Sequence, residues 1–262
     1  VPDEERLVGL LGVVAIEAEV EGEVLGVIDM EYHQRLGDII RVLPIARHLA
    51  SQGHSVYVEC FPQYWGLFGC VSYARPSDPK QRHEMRFGRV LELEIWPHRY
   101  DEYRASGKPW GDFVFGLFPE FAQLNQRPEF DLIDEQPPLE DYGFSREICL
   151  LAPFGYSQGK QHHAGKLMET CRRVAKRPIV FLADEAQEAK LLTWRVPQTM
   201  ILRAKSPAHL PRIIRDAEEM FTINSSPCII AGAVRKEFWH VSSGVAQDDA
   251  FSPASRVVTV GD

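Results

Sequence analysis

Residues 24–61 read VLGVIDMEYHQRLGDIIRVLPIARHLASQGHSVYVECF, and the way this stretch folds decides the class of the chain. Val24 to Met30 is an apolar run of strand length, followed by a polar turn from Glu31 to Asp38. From Ile39 the apolar residues Ile39, Ile40, Leu43, Ile45, Ala46 and Leu49 recur at helical spacing, which predicts one buried helix face. The helix is expected to stop at Gln52-Gly53, and Ser55 to Phe61 alternates like a strand. Strand, turn, helix and strand in fewer than 40 residues make a βαβ unit, and hence a parallel sheet with a right-handed crossover. Ligands of such sheets bind outside the carboxyl ends of the strands, so chemistry is expected at the Glu31 to Asp38 turn. Asp38 has two compatible readings there. It is an N-cap of the helix, or it is a general base whose carboxylate takes a proton from a hydroxyl.

Working outward, the chain repeats this pattern. Upstream, the stretch VVAIEAEVEGEVLGV, with Glu21-Gly22 as its turn, predicts two short antiparallel strands at the sheet edge. Downstream, residues 62–80 read as loop with one short helix, and Arg89 to Trp96 as a strand. The aromatic segment that follows is cut by Pro97, Pro109 and Pro119, and reads as core over the sheet or as the lining of a cleft. Residues 128–147 carry two adjacent prolines and several acids, and are the best linker in the chain. A second series then starts. Strands are expected at Ile148 to Ala152, Pro178 to Leu182, Met200 to Leu202 and Phe221 to Ile223, alternating with helices at His163 to Ala175, Glu185 to Trp194 and Leu210 to Met220. The fold class is therefore α/β, two Rossmann-like lobes in tandem, divided into residues 1–140 and 141–262.

Composition sets limits on function. The 262 residues carry 29 basic and 37 acidic side chains, a net charge of −8, which argues against an unspecific polyanion binder. The five cysteines, Cys60, Cys70, Cys149, Cys171 and Cys228, contain no CxxC, so neither a disulfide framework nor a zinc ribbon is indicated. A reducing cytoplasm is the expected location. No apolar run is long enough to span a membrane, and the start VPDEERLVGLL lacks a basic leader region, so no integral membrane association is expected.

The second lobe offers two more turns at strand carboxyl ends. Pro153 to Lys160, PFGYSQGK, presents Gly155, the Ser157 hydroxyl and the Lys160 cation just before a helix, a suitable cradle for phosphate. Asn224-Ser225-Ser226-Pro227 presents hydroxyls before another helix, suited to phosphate or ribose oxygens, and equally a simple cap. His162 and His163 have no partner at metal-ligand spacing and read as surface. Walker, GxGxxG, GxSxG and HExxH patterns are all missing.

The order of an LGD turn opening a helix, then PFG-x4-K before a helix, then an NSSP turn after a strand resembles glycosyltransferase family 9, the lipopolysaccharide heptosyltransferases. The resemblance implies a GT-B fold, two lobes about a central cleft, with an acceptor domain (1–140) before a nucleotide-sugar-binding domain (141–262). It implies sugar transfer from a nucleotide diphosphate donor, without metal or cofactor. Gly37-Asp38 matches the family's Gly-Asp turn, which makes Asp38 the catalytic base and places Arg35 and Gly37 on the acceptor side. Gly155, Ser157, Lys160, Glu185, Asn224, Ser225 and Ser226 fall on the donor side, with Glu188 as the alternative to Glu185. The family's Asp-Ser/Thr-Gly-x-x-His turn stands here as Asn224-Ser225-Ser226-Pro227-Cys228-Ile229, so its Asp, Gly and His are replaced. The implied acceptor is a saccharide hydroxyl. A hydroxylated base in DNA is the alternative acceptor, favoured by the arginines of the first lobe and opposed by the acidic balance. Two other activities fit the same scaffold: a sugar-nucleotide epimerase, and a nucleotide-sugar-binding protein without turnover.

Overall fold

The structure is a computed structural model that describes residues 14–16, 25–29, 35–78, 80, 89–93, 99–154, 163–241 and 255–258. It comprises two compact units, the first of residues 1–68 and 72–126, the second of residues 69–71 and 127–262. Each unit has its own sheet, and among the described residues no strand of one sheet pairs with the other.

The first unit contains β1 (Val14–Ile16), β2 (Leu25–Asp29), α1 (Leu36–Ser51), β3 (Ser55–Glu59), β4 (Arg75–Ser77), β5 (Arg89–Glu92), α2 (Tyr100–Ser106) and α3 (Trp110–Phe115). The sheet order is β1-β5-β2-β3-β4. Strands β2 to β5 run parallel, and β1 lies antiparallel against β5, with Ile16 also paired to Gly26. The expected second strand of an N-terminal hairpin, with its Glu21-Gly22 turn, lies outside the described residues.

The expected βαβ unit is present. Ile39, Ile40, Val42, Leu43, Ile45, Ala46 and Leu49 are at most 2% exposed and form the buried face of α1. Each Ile, Val and Leu among them contributes roughly 1.5–3 kcal/mol of transfer free energy, enough to hold a helix that contains Pro44. Gly53, at φ +90°, ends it: Gly53 N–H donates to Ala50 O at 3.0 Å and His54 N–H to Leu49 O at 3.3 Å, a Schellman closure. The helix begins at Leu36, not Ile39. Its first turn lies outside the apolar stripe, so the periodicity gives no signal for it.

The loop expected over residues 62–80 contains a 3₁₀ segment, Pro62–Cys70, and also β4. Pro76 conceals this strand in the sequence. It is tolerated because β4 is an edge, paired among the described residues with β3 alone. Gly107, at φ +65°, and Pro109 separate α2 from α3, and Tyr103, Phe113, Phe115 and Phe121 enter the core.

The second unit contains β6 (Cys149–Ala152), α4 (His163–Val174), β7 (Ile179–Leu182), α5 (Glu185–Thr193), β8 (Ile201–Leu202), α6 (Leu210–Asp216), β9 (Glu219–Ile223), α7 (Ser226–Ala233), β10 (Phe238–Val241) and β11 (Ser255–Val258). The order is β11-β10-β9-β6-β7-β8, all parallel. Every residue of central β6 is buried, as expected of a strand covered on both faces. Leu167 and Cys171 of α4 meet Leu151, Phe181 and Phe221 in the core on one face. Strands β10 and β11 extend the sheet beyond the elements expected from the sequence.

Residues 127–140, placed in the first domain on sequence grounds, pack with the second unit. Phe130 and Leu139 of this segment are buried, and at its surface Asp134 accepts from Arg215 at 2.8 Å and from Arg212 at 3.3 Å, while the Asp134 carbonyl accepts from Arg212 at 3.0 Å. The Arg215 hydrogen bond and charge hold the Asp134 carboxyl below the usual carboxylate range.

Candidate functional site

In each sheet the strand order reverses once, and that point sets where a ligand can enter. In the first unit it falls between β2 and β5, neighbours in register from Gly26↔Arg89 to Asp29↔Glu92. Beyond β2 the chain passes residues 30–34, outside the described set, and enters α1.

Arg35 is the N-cap of α1, with extended backbone and no side-chain cap bond, and is exposed. Gly37 and Asp38 follow, both half-buried. Asp38 is therefore not the N-cap expected from the sequence. It is the third residue of the helix, and its own N–H donates to Arg35 O at 2.9 Å. The helix dipole still favours its negative charge there. One turn on, the Arg41 guanidinium lies 5.0 Å over the Trp110 ring.

Across the reversal point, Glu92 ends β5 and binds Arg99 at 3.4 Å, both about one-third exposed. At the end of β3, Glu59 is fully buried. Burial first, then the Glu59 charge, push the Cys60 thiol up to about 12. Neither the Glu92–Arg99 pair nor buried Glu59 was singled out from the sequence. Their signal is positional, the last residue of a parallel strand, and it needs the register.

In the second unit the reversal falls between β6 and β9, paired from Cys149↔Glu219 to Ala152↔Thr222. The two candidate donor turns therefore leave from adjacent strands at the same level. Pro153 and Phe154 are buried, while Gly155, Ser157 and Lys160 lie outside the described residues. The other turn starts at Asn224, which is 6% exposed. Ser225 is the N-cap of α7 by position, yet its hydroxyl makes no cap bond and donates to Ile223 O at 3.2 Å. Ser226 opens the helix, half-buried. Pro227 has no N–H to offer, and Cys228 N–H is taken by Ser225 O at 3.0 Å, so this helix end has fewer amides for an anion than its position suggests.

Glu185 begins α5 after β7, its side chain 85% exposed and 2.8 Å from Arg203. Arg203, which follows β8, also reaches Glu188 at 3.9 Å, and Glu188 is the more sheltered acid at 23% exposure. Asp184 caps α5: its carboxylate accepts from Gln187 N–H at 2.9 Å, and Gln187 Oε1 accepts from Asp184 N–H at 3.3 Å. The Tyr142 hydroxyl and His209 Nδ1 share a short hydrogen bond. Among the described residues no group of three or more His, Cys, Asp or Glu side chains could hold a metal ion, and no helix is long and apolar enough to cross a membrane.

Comparison of the chain with protein-family models and with curated protein sequences gives no match. Solved structures do match. The bacterial iron-containing dodecameric glycosyltransferase TibC from enterotoxigenic E. coli H10407 superposes with a TM-score of 0.60 at 12% identity, over 91% of this chain. This chain spans only 63% of the length of TibC. A glycosyl transferase family 9 protein from Veillonella parvula DSM 2008 gives 0.59 at 10% identity, covering 89% of this chain and 85% of that one. The E. coli ADP-heptose lps heptosyltransferase II gives 0.52 at 12% identity, covering 90% and 91%. The chain thus has the GT-B type fold of family 9 glycosyltransferases, and the likeness, at these identities, is one of fold.

Proposed function

We propose that the chain is a glycosyltransferase that moves a sugar from a nucleotide-diphosphate-sugar to an acceptor hydroxyl, with Asp38 as general base. The observation that carries the reading is the place of Asp38. In a fold shared with glycosyltransferases, it lies in the first turn of the helix that follows the reversal-point strand of the first unit.

The step balances without an added reagent. Asp38 takes the hydroxyl proton as the acceptor oxygen bonds to the anomeric carbon. The bond from that carbon to the phosphate oxygen breaks, and its electron pair leaves with the nucleoside diphosphate. Positioned proton transfer of this kind contributes about 10²–10⁴-fold in rate. Lys160, Gly155, Ser157 and the Asn224-Ser225-Ser226 turn are assigned to the departing diphosphate, and Glu185 or Glu188 to the ribose hydroxyls. Cation, hydroxyls and helix dipole suffice to offset the developing charge in this scheme, so transfer is proposed to need no metal. Arg35 and Gly37 border the acceptor.

The acceptor is proposed to be a saccharide, because a net charge of −8 opposes approach to DNA. The five cysteines are free thiols and buried, which suits a reducing compartment such as the cytoplasm. The test is nucleoside diphosphate release by the purified protein from ADP-heptose and a panel of other nucleotide sugars, before and after EDTA dialysis. Release that survives EDTA is expected, and release abolished by EDTA and restored by a metal would end the metal-free proposal.

One observation favours a second reading, a nucleotide-sugar-binding protein without turnover. The Ser225 hydroxyl points back to Ile223 O and Pro227 removes an amide from α7, which weakens the anion cradle. Calorimetric donor binding with no diphosphate release from any donor would establish that reading in place of the transferase.

A further inference from the structure

The core of the second unit holds two thiols in contact. Cys149 starts β6, and strand alternation puts its side chain on the same face as that of Leu151. On α4, Ala164, Leu167 and Cys171 recur at helical spacing and join Cys149, Leu151, Phe181 and Phe221 in one buried cluster. Strands β6 and β7 are parallel, so the α4 crossover runs back along the sheet and its last turn returns to the start of β6. There the Cys149 and Cys171 sulfurs lie 3.6 Å apart, on residues 22 positions apart in the chain, both fully buried.

The surroundings keep the pair reduced and quiet. The hydrogen bond between the two sulfurs, then burial, then the nearby charge of Glu219 push the Cys149 thiol well above its ordinary range. Glu219 is the register partner of Cys149 on β9. Because the thiolate is the reactive form, oxidation has to wait for a local opening. The end of α4 is where such an opening is cheapest. It is closed by two backbone bonds, Ala175 N–H to Cys171 O at 2.8 Å and Lys176 N–H to Glu219 Oε2 at 2.9 Å, the second of them exposed.

We infer that Cys149 and Cys171 are a built-in oxidation site, which a hydroperoxide converts into a disulfide that clamps α4 to the central strand of the second unit. In the opened state one thiolate attacks a peroxide oxygen. The O–O bond breaks, leaving a sulfenic acid and a hydroxide that takes up the thiol proton as water. The second sulfur then displaces the sulfenic hydroxyl, which leaves with the second thiol proton as another water. The two sulfurs lose two electrons and the peroxide gains them. A disulfide holds its sulfurs about 2.05 Å apart, so closure from 3.6 Å draws them together by roughly 1.5 Å, the scale of a side-chain rotation. The pair sits at the amino end of β6, away from the turn at residues 153–162, so the clamp forms without entering the candidate donor site.

The test treats the folded full chain with hydrogen peroxide, then alkylates it in denaturant and maps its peptides by mass spectrometry. Two of the five thiols are expected to escape alkylation, with Cys149 and Cys171 recovered as one linked peptide pair. The intact mass should fall by about 2 Da, the two hydrogens lost, and dithiothreitol should restore it. A cross-link across this much chain should raise Tm by several degrees, reversibly. Cys171→Ala is expected to form no linked pair and to show no such rise. The decisive measurements are on the wild type, so a folding defect in the variant cannot mimic the result. Five alkylatable thiols after peroxide, a bond joining other cysteines, or a bond that forms only in urea would overturn the site. A Cys149–Cys171 bond that leaves Tm unchanged or lowers it would overturn the clamp.

Discussion

Asp38 and Asp184 occupy comparable places, each where a parallel strand has ended and a helix begins, and the molecule uses them differently. Asp184 completes a capping box with Gln187, so its carboxylate is committed to the backbone of α5. Helix α1 has Arg35 as its N-cap residue, which contributes no side-chain cap, and Asp38 lies two residues inside the first turn. There it can serve the helix through its charge, worth about 0.3–1 kcal/mol, but not as the N-cap. The difference teaches that an acid at a helix start has to be placed to the residue before its role is read. In the second unit such groups are absorbed by structure, with Asp184 in a cap, Asp134 on Arg215 and His209 on Tyr142.

The sharpest way to break the comparison is Asp38→Asn. The amide cannot accept a proton, so turnover at saturating donor is expected to fall about 10²–10⁴-fold. The melting temperature should drop only by the small charge–dipole contribution, under about 1 kcal/mol. Near-normal kcat with a normal melt would leave Asp38 a helix residue like any other and move the search to Glu92 and Glu59.

Next in size is the donor side. Lys160→Ala is expected to weaken nucleotide-sugar binding by roughly 1–3 kcal/mol, the loss of one charged hydrogen bond. Calorimetry checks it, and an unchanged donor Kd removes Lys160 from the site. The effect should exceed that of Ser225→Ala, because the Ser225 hydroxyl is already turned to Ile223 O. A larger loss at Ser225 would mean that the turn re-forms around the donor.

The other half of the comparison is tested by Asp184→Ala. It removes one side of the capping box and should cost about 1 kcal/mol, lowering Tm by a few degrees while kcat stays unchanged. A fall in turnover without a fall in Tm would show that the two aspartates do not divide labour as described.

The parts that the sequence made plain are those built from long apolar periodicity. The buried stripe of α1 and the fully buried strand β6 could be read directly, and with them both α/β units. Strand β4 could not be read, because three residues with Pro76 at their centre have no strand signal until the edge position is known. The acids of residues 128–147 look like a solvated linker in the sequence, and only the fold shows Phe130 and Leu139 buried and brings Arg212 and Arg215 to Asp134. At the candidate site, Asp38, Glu185, Asn224, Ser225 and Ser226 were found at strand carboxyl ends, but their bonding was not legible. Whether Ser225 caps α7 or turns to Ile223 O depends on one side-chain torsion, which no spacing encodes.

The smallest expected effect concerns His209, and it asks whether titration in the second unit reads in stability. Burial first, then the Lys205 charge, hold the His209 pKa below its ordinary value. The unfolded chain, with histidine near 6.5, therefore binds the proton more readily than the folded one as pH falls. The stability contributed by neutral His209 is present above about pH 6.5 and is lost as pH drops through the folded value. His209→Gln removes this titration. It also disturbs the hydrogen bond to the Tyr142 hydroxyl, so the absolute Tm will shift and only the slope against pH is informative. Between pH 7.5 and 5.5 the wild-type Tm should fall more steeply than that of the Gln variant, by a degree or two at most for a single partly exposed group. Parallel slopes would show that His209 titrates alike in both states, and would take it off the list of groups that the second unit commits to structure.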